Sequence, residues 1–172
     1  MTVKTILTEP NALLRQVSKP VKKVGEEEQK LMDDMLETMY EANGIGLAAI
    51  QIGIPKRIIV MDISKDENKK EPRYFVNPKI KNKDNLKSTY EEGCLSVPNQ
   101  FAEIDRPKKC DVEYLDYYGE KKTLQAEGLL ATCIQHEIDH LEGILFIDYL
   151  SKLKKSMIVK KLSKQKSARI IV

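Results

Sequence analysis

Between Glu26 and Ala42 the apolar positions Leu31, Met32, Met35, Leu36, Met39 and Tyr40 recur at helical spacing. Acidic residues fill the first turn and Asn43-Gly44 follows as a stop, so the pattern predicts one amphipathic helix. The period then changes. Arg57-Ile58-Ile59-Val60-Met61, after Pro55, is a short continuous apolar run of the kind that forms a buried strand, and Tyr74-Phe75-Val76, ending before Asn77-Pro78, predicts another. Cys110, Val112 and Tyr114 alternate with polar neighbours, and Tyr118-Gly119 separates them from Lys121 to Gln125, which predicts a hairpin. A second helix should begin near Gly128, carry Leu129, Cys133, His136 and His140, and end at Gly143. From Ser151 onward Leu153, Met157 and Ile158 fall at helical spacing with lysines between them, which predicts a C-terminal helix that packs through Leu153 and Met157. The order of elements is that of an α+β fold with its chemistry on the second helix.

Length and composition narrow this picture. The 172 residues fit one domain, 1–172, and 41% hydrophobic with 32% charged residues is the balance of a chain that folds in water. No apolar run approaches the ~20 residues of a membrane span. The opening residues lead into no signal-peptide core, and Glu9 and Pro10 arrive too early for a transit peptide, so the expected compartment is the cytoplasm, with no membrane partner. The net charge of +3 hides an asymmetry: the tail from about Ser151 holds eight basic residues and no acid, whereas the rest carries 21 basic and 26 acidic residues. A stripe of that sign favours phosphate-rich surfaces.

His136-Glu137-Ile138-Asp139-His140 carries the sharpest chemistry. Residues four apart on a helix share a face, so both imidazoles can reach one ion while Glu137 sits beside it. These are the chain's two histidines, and they point to a divalent metal. A catalytic ion needs a third protein ligand, and no further histidine exists. Cys133 and His140 are seven residues apart, ~10.5 Å along a helix, too far for one ion, so Cys133 reads as core. Cys110 reads as the small buried face of its strand. Cys94, in Glu91-Glu92-Gly93-Cys94-Leu95-Ser96, stays open between a third ligand and a nucleophile. Gly44-Ile45-Gly46-Leu47-Ala48-Ala49-Ile50-Gln51, taken alone, stays open between a segment whose glycines and small residues let another backbone or a ligand come close and a helix cap followed by a packed turn into a strand, with Gln51 on the surface.

Together, Gly44 to Gln51, Glu92 to Ser96 and Gln135 to His140 resemble the peptide deformylase family, which carries Gly-x-Gly-x-Ala-Ala-x-Gln, Glu-Gly-Cys-Leu-Ser and Gln-His-Glu-x-Asp-His segments in this order. The resemblance spans nearly the whole chain. It implies a mostly antiparallel sheet wrapping a central metal-bearing helix, with an N-terminal helix and the C-terminal helix of the bacterial type. It makes Cys94, His136 and His140 the ligands of one divalent ion, usually ferrous iron, with zinc, nickel or cobalt as substitutes. It makes Glu137 the acid–base, and Gln51 and the Leu95 backbone N–H the oxyanion donors. Ile45, Tyr90, Leu129 and Cys133 would line the pocket for a methionine side chain, with the backbone near Gly46 as a strand-like partner for the peptide. Glu92, Asp139 and Arg106 are read either as groups that orient the ligands or as ordinary ion pairs. The implied reaction removes formyl from the N-terminal formylmethionine of nascent polypeptides, and the basic tail would then dock on the ribosome near the exit tunnel. Two other classes compete. An HExxH peptidase would need a downstream histidine or acidic ligand, and no later histidine is present; a non-catalytic nucleic-acid-binding protein would have no use for Glu137 and Gln51.

Overall fold

The computed structural model describes residues 2–171, and side chains as far as 164; Lys166, Arg169 and Val172 of the basic tail lie outside the described side chains. The helices are α1 (Glu26–Glu41), α2 (Gly128–Leu141) and α3 (Lys152–Ile171). The strands are β1 (Gly46–Ala48), β2 (Ile58–Met61), β3 (Arg73–Lys83), β4 (Lys87–Cys94), β5 (Val97–Pro107), β6 (Lys109–Leu115) and β7 (Lys121–Glu127). They form a five-stranded sheet in the order β1-β2-β3-β6-β7 and a separate β4-β5 hairpin, and every named pairing is antiparallel.

The continuous apolar run of β2 has a direct explanation in this arrangement. Ile58 and Val60 pack with Leu31, Met32, Met35 and Met39 of α1, whereas Ile59 and Met61 pack with Ala131, Ile134, Ile138 and Leu141 of α2. A strand covered on both faces cannot alternate. α2 itself is buried nearly all round, as a central helix must be. A third cluster joins Val97 and Ile104 of β5 to Phe146, Ile147 and Leu162. Among the described residues no helix is long and apolar enough to cross a membrane.

The structure departs from the sequence reading in three places. β3 does not stop before Asn77-Pro78 but continues to Lys83. The register shifts between Val76 and Lys79, so Pro78 sits in the irregularity, where its missing N–H costs no ladder bond. Asn77 takes a positive φ of 50°, and its side chain accepts from Val21 N at 2.8 Å and donates to Val21 O at 2.8 Å. The β4-β5 hairpin lies outside the predicted elements, because its inward positions mix Glu92 and Arg106 with Val97 and Ile104 and so show no clean apolar alternation. α3 does form, but Leu153 and Met157 are 72% and 51% exposed. It docks instead through Ile158, Val159 and Leu162.

The N-terminal segment ties these parts together. Leu7 N donates to Gln51 O, Glu9 N to Ser96 O and Ser18 N to Leu141 O, at 2.7 to 2.8 Å. Arg15 reaches Asp148, in the 3-10 turn Phe146–Tyr149, at 2.6 Å.

Candidate metal centre

Three elements converge on one point. α2 presents His136 and His140 on one face, and the hairpin presents Cys94 at the end of β4. Cys94 pairs with Val97 across the two-residue turn Leu95-Ser96, and the register shifts just before it. Gly93 at that shift faces Phe101, whose ring would overlap any added Cβ. One donor atom from each of Cys94, His136 and His140 falls within 4.8 Å of the others, and Cys94 Sγ lies 3.3 Å from His140 Nε2. A thiolate and two imidazoles at that separation fit a single ion bound at ~2.0–2.3 Å.

The two rings differ in their surroundings. His136 Nδ1 is 2.9 Å from Glu92 Oε1. Arg106 then clamps Glu92 with both arms, Nε to Oε2 at 2.7 Å and Nη2 to Oε1 at 3.0 Å, and its Nη1 donates to Asp139 Oδ2 at 2.8 Å. Burial alone would raise the Glu92 carboxyl, but its bonds to His136 and Arg106 lower it, so it stays charged. Glu92, Asp139 and Arg106 thus form one bonded network behind His136. That network has a member with no sequence signal. Tyr149 donates its hydroxyl to the same Asp139 oxygen at 2.8 Å and lays its ring 5.0 Å from the Arg106 guanidinium carbon. His140 is fully buried, and its Nδ1 has no hydrogen-bond partner among the described residues.

Glu137 is buried beside the donor cluster, with Oε1 3.9 Å from His136 Nε2. Gly46 makes room for it: a Cβ there would stand 2.9 Å from Oε1. Burial pushes the Glu137 carboxyl up to about 7, helped by the charges of Glu92 and Asp139 and opposed by His136 and Arg106. A group poised there can take and return a proton near neutral pH.

Gln51 is not on the surface. It is 1% exposed, held in the turn Ala49–Ile52 by accepting from Ala48 N at 2.9 Å, and its amide donates to Ser96 Oγ at 3.0 Å and points at Cys94 Sγ at 3.6 Å. A cavity of about 550 Å³ opens over these groups, and Ile45, Gly46, Tyr90, Leu95, Leu129 and Cys133 all line it. Cys133 thus belongs both to the core and to the cavity wall, and burial pushes its thiol well up. Cys110 is buried in the core, away from this cavity. Among the described residues no Lys or Arg lines the cavity, and β1, the edge of the large sheet, borders it.

Comparison with known proteins gives a consistent result. A family model described as polypeptide deformylase matches residues 3–156. A peptide deformylase of Pelagibacter ubique is 78% identical over the full length of both chains, and one of Rhizobium meliloti is 53% identical over 98% of this chain and 97% of its own. The crystal structure of peptide deformylase from Ehrlichia chaffeensis superposes with a TM-score of 0.93 at 42% identity, covering 98% of this chain and 99% of that one. A second structure from that organism, in complex with actinonin, gives 0.90 at 45% identity, covering 96% and 98%.

Proposed function

Because the chain belongs to the polypeptide deformylase family, it removes the N-formyl group from nascent peptides, and we propose that Cys94, His136 and His140 hold the metal on which this hydrolysis depends. The observation that carries the reading is the convergence of those three donors, with Cys94, His136, Glu137 and Gln51 all lining a single cavity. When bound, the ion supplies Lewis acidity that acidifies water and polarises the formyl carbonyl. Ferrous iron is the proposed occupant, with zinc, nickel or cobalt as substitutes.

The chain's own residues do the rest. Glu137 takes a proton from water as its oxygen attacks the formyl carbon, and it returns that proton to the amine when the C–N bond breaks, leaving formate and a free N-terminus. The Gln51 amide and the Leu95 backbone N–H serve as donors to the developing oxyanion; Gln51 is useful because its orientation is fixed before charge develops. Ile45, Tyr90, Leu129 and Cys133 offer an apolar wall to the methionine side chain of formylmethionine, and the free edge of β1 at Gly46 offers backbone groups to an extended peptide.

The test is formate release from a formyl-Met peptide against its acetyl counterpart, using anaerobically prepared protein of known metal content. Wild type should hydrolyse the formyl peptide alone. Glu137→Gln should keep its metal yet lose at least ~10² in turnover. Unchanged turnover would remove Glu137 from the reaction.

Residues 1–172 act on this reading as one cytoplasmic domain whose basic tail docks on the ribosome near the exit tunnel. Lys152, Lys154, Lys160 and Lys161 are exposed along α3, and binding through them should weaken steeply between ~50 and 200 mM salt as counterions are released. Removing residues from Lys160 would also remove buried Leu162, so charge neutralisation is the cleaner experiment. Changing those four lysines to Gln should reduce co-sedimentation with ribosomes and spare peptide hydrolysis. Undiminished co-sedimentation at low salt would leave the tail as a solvated helix face.

A further inference from the structure

The network behind His136 ends at the surface on Tyr149, outside every segment that the chemistry singled out. From His136 Nδ1 the bonds run to Glu92 at 2.9 Å, from Glu92 to both arms of Arg106, from Arg106 to Asp139 at 2.8 Å, and from Asp139 to the Tyr149 hydroxyl at 2.8 Å. Arg106 and Glu92 are buried to about the same depth, each with a side chain 5% exposed, whereas Asp139 is 19% exposed and Tyr149 is 52% exposed. Tyr149 is thus the member between this buried chain of charges and water. Its ring covers the guanidinium while its hydroxyl occupies the Asp139 oxygen that Arg106 also uses.

Resting on the assignment of Cys94, His136 and His140 as metal ligands, we propose that Tyr149 is a positioning residue for the metal: its hydroxyl holds Asp139 and its ring covers Arg106, so that together they lock Arg106, which locks Glu92, which fixes the His136 ring. The physical reason is dielectric. Charge-assisted bonds strengthen when water is kept from them, and an arginine held at three of its nitrogens cannot rotate away from the carboxylate that orients the ligand. The position of Tyr149 has a further consequence. It is the last residue of the turn Phe146–Tyr149 that leads into α3, and the preceding Asp148 is bonded by Arg15 at 2.6 Å and by Lys155 of α3 at 2.7 Å. The base of the tail helix and the His136 ring are therefore joined by bonded side chains that meet at the Asp148–Tyr149 peptide.

The experiment uses cobalt(II)-loaded full-length protein and measures the rate at which a strong chelator removes the cobalt, with the visible absorption of the bound ion as a second readout. Tyr149→Phe keeps the ring and removes only the hydroxyl at a half-exposed position, so folding is not at issue. Its cobalt should leave ~10-fold faster, within the range usual for groups that hold a ligand from behind, and the absorption bands should shift. Metal-free Tyr149→Phe should melt with metal-free wild type. Arg106→Lys should release cobalt faster still, and the double variant should match Arg106→Lys alone, because the tyrosine acts through the arginine. Cobalt release and spectrum unchanged in Tyr149→Phe, or effects that simply add in the double variant, would overturn the proposal. If wild type holds cobalt no better than Cys94→Ala does, the ligand assignment itself fails, which is a separate result.

Discussion

His136 and His140 project from one face of one helix toward the same sulfur, yet they are held by different means. His136 is oriented by a hydrogen bond. Its Nδ1 meets Glu92, and although burial alone would lower its pKa, the bonds to Cys94 and Glu92 raise it well above the ordinary range. His140 is oriented by shape. It is fully buried, its Nδ1 has no partner among the described residues, and burial followed by the charges of His136, Arg106 and Arg15 lowers it well below the ordinary range. A ring with a carboxylate behind it is both more basic and more narrowly aimed; a ring held by packing depends on the neighbours' volumes. The site thus has one electrostatic hinge and one steric wall, and they should fail differently.

The largest effect should come from the group that both rings share. Cys94→Ala leaves His136 bonded to Glu92 and His140 packed as before, but removes the donor between them, so metal should fall from stoichiometric to near nothing, with activity lost alongside. Metal analysis after purification decides it; full occupancy in the variant would mean that two imidazoles suffice or that the ion sits elsewhere.

A smaller effect should separate the two histidines. Glu92→Gln removes the charge behind His136 and leaves His140 untouched, and metal affinity measured by chelator competition should drop ~10- to 100-fold. Removing one partner of a buried ion pair also costs ~3–5 kcal/mol of stability where the other is left alone. Arg106 keeps Asp139 here, so the loss should be milder than that. An unchanged affinity would show that His136, like His140, is held by packing, and the contrast between the rings would collapse.

What was legible in the sequence follows the same division between local and distant causes. Two histidines one helical turn apart must share a face, so their convergence needed nothing but the helix. The buried strands β2 and β3 could be read from unbroken apolar runs. Cys94 could not be placed that way. It is swung into position by the pairing of β4 with β5, whose inward residues include an ion pair that looks like surface in a one-dimensional pattern. The resemblance of three short segments to a family supplied what periodicity could not. Gln51 could not be placed by pattern for a related reason: a polar side chain in a turn reads as exposed unless its partners, here Ala48 N and Ser96 Oγ, are known. Tyr149 left no trace because its partners are 10 and 43 positions away in the chain.

The bonds made by the N-terminal segment set an order of events during synthesis. Leu7 needs Gln51, Glu9 needs Ser96 and Ser18 needs Leu141, so the first residues to emerge find their partners only as the rest of the chain follows. Contacts between residues so distant in sequence are slow to form, since the loops between them must close first. α1 can become helical early, but the elements that carry Gln51, Cys94 and His140 are not stitched to one another until the last of them has left the ribosome. An enzyme that acts on new N-termini thus keeps its own segment Leu7–Ser18 engaged in its structure, and its site comes together only once α2 has been made.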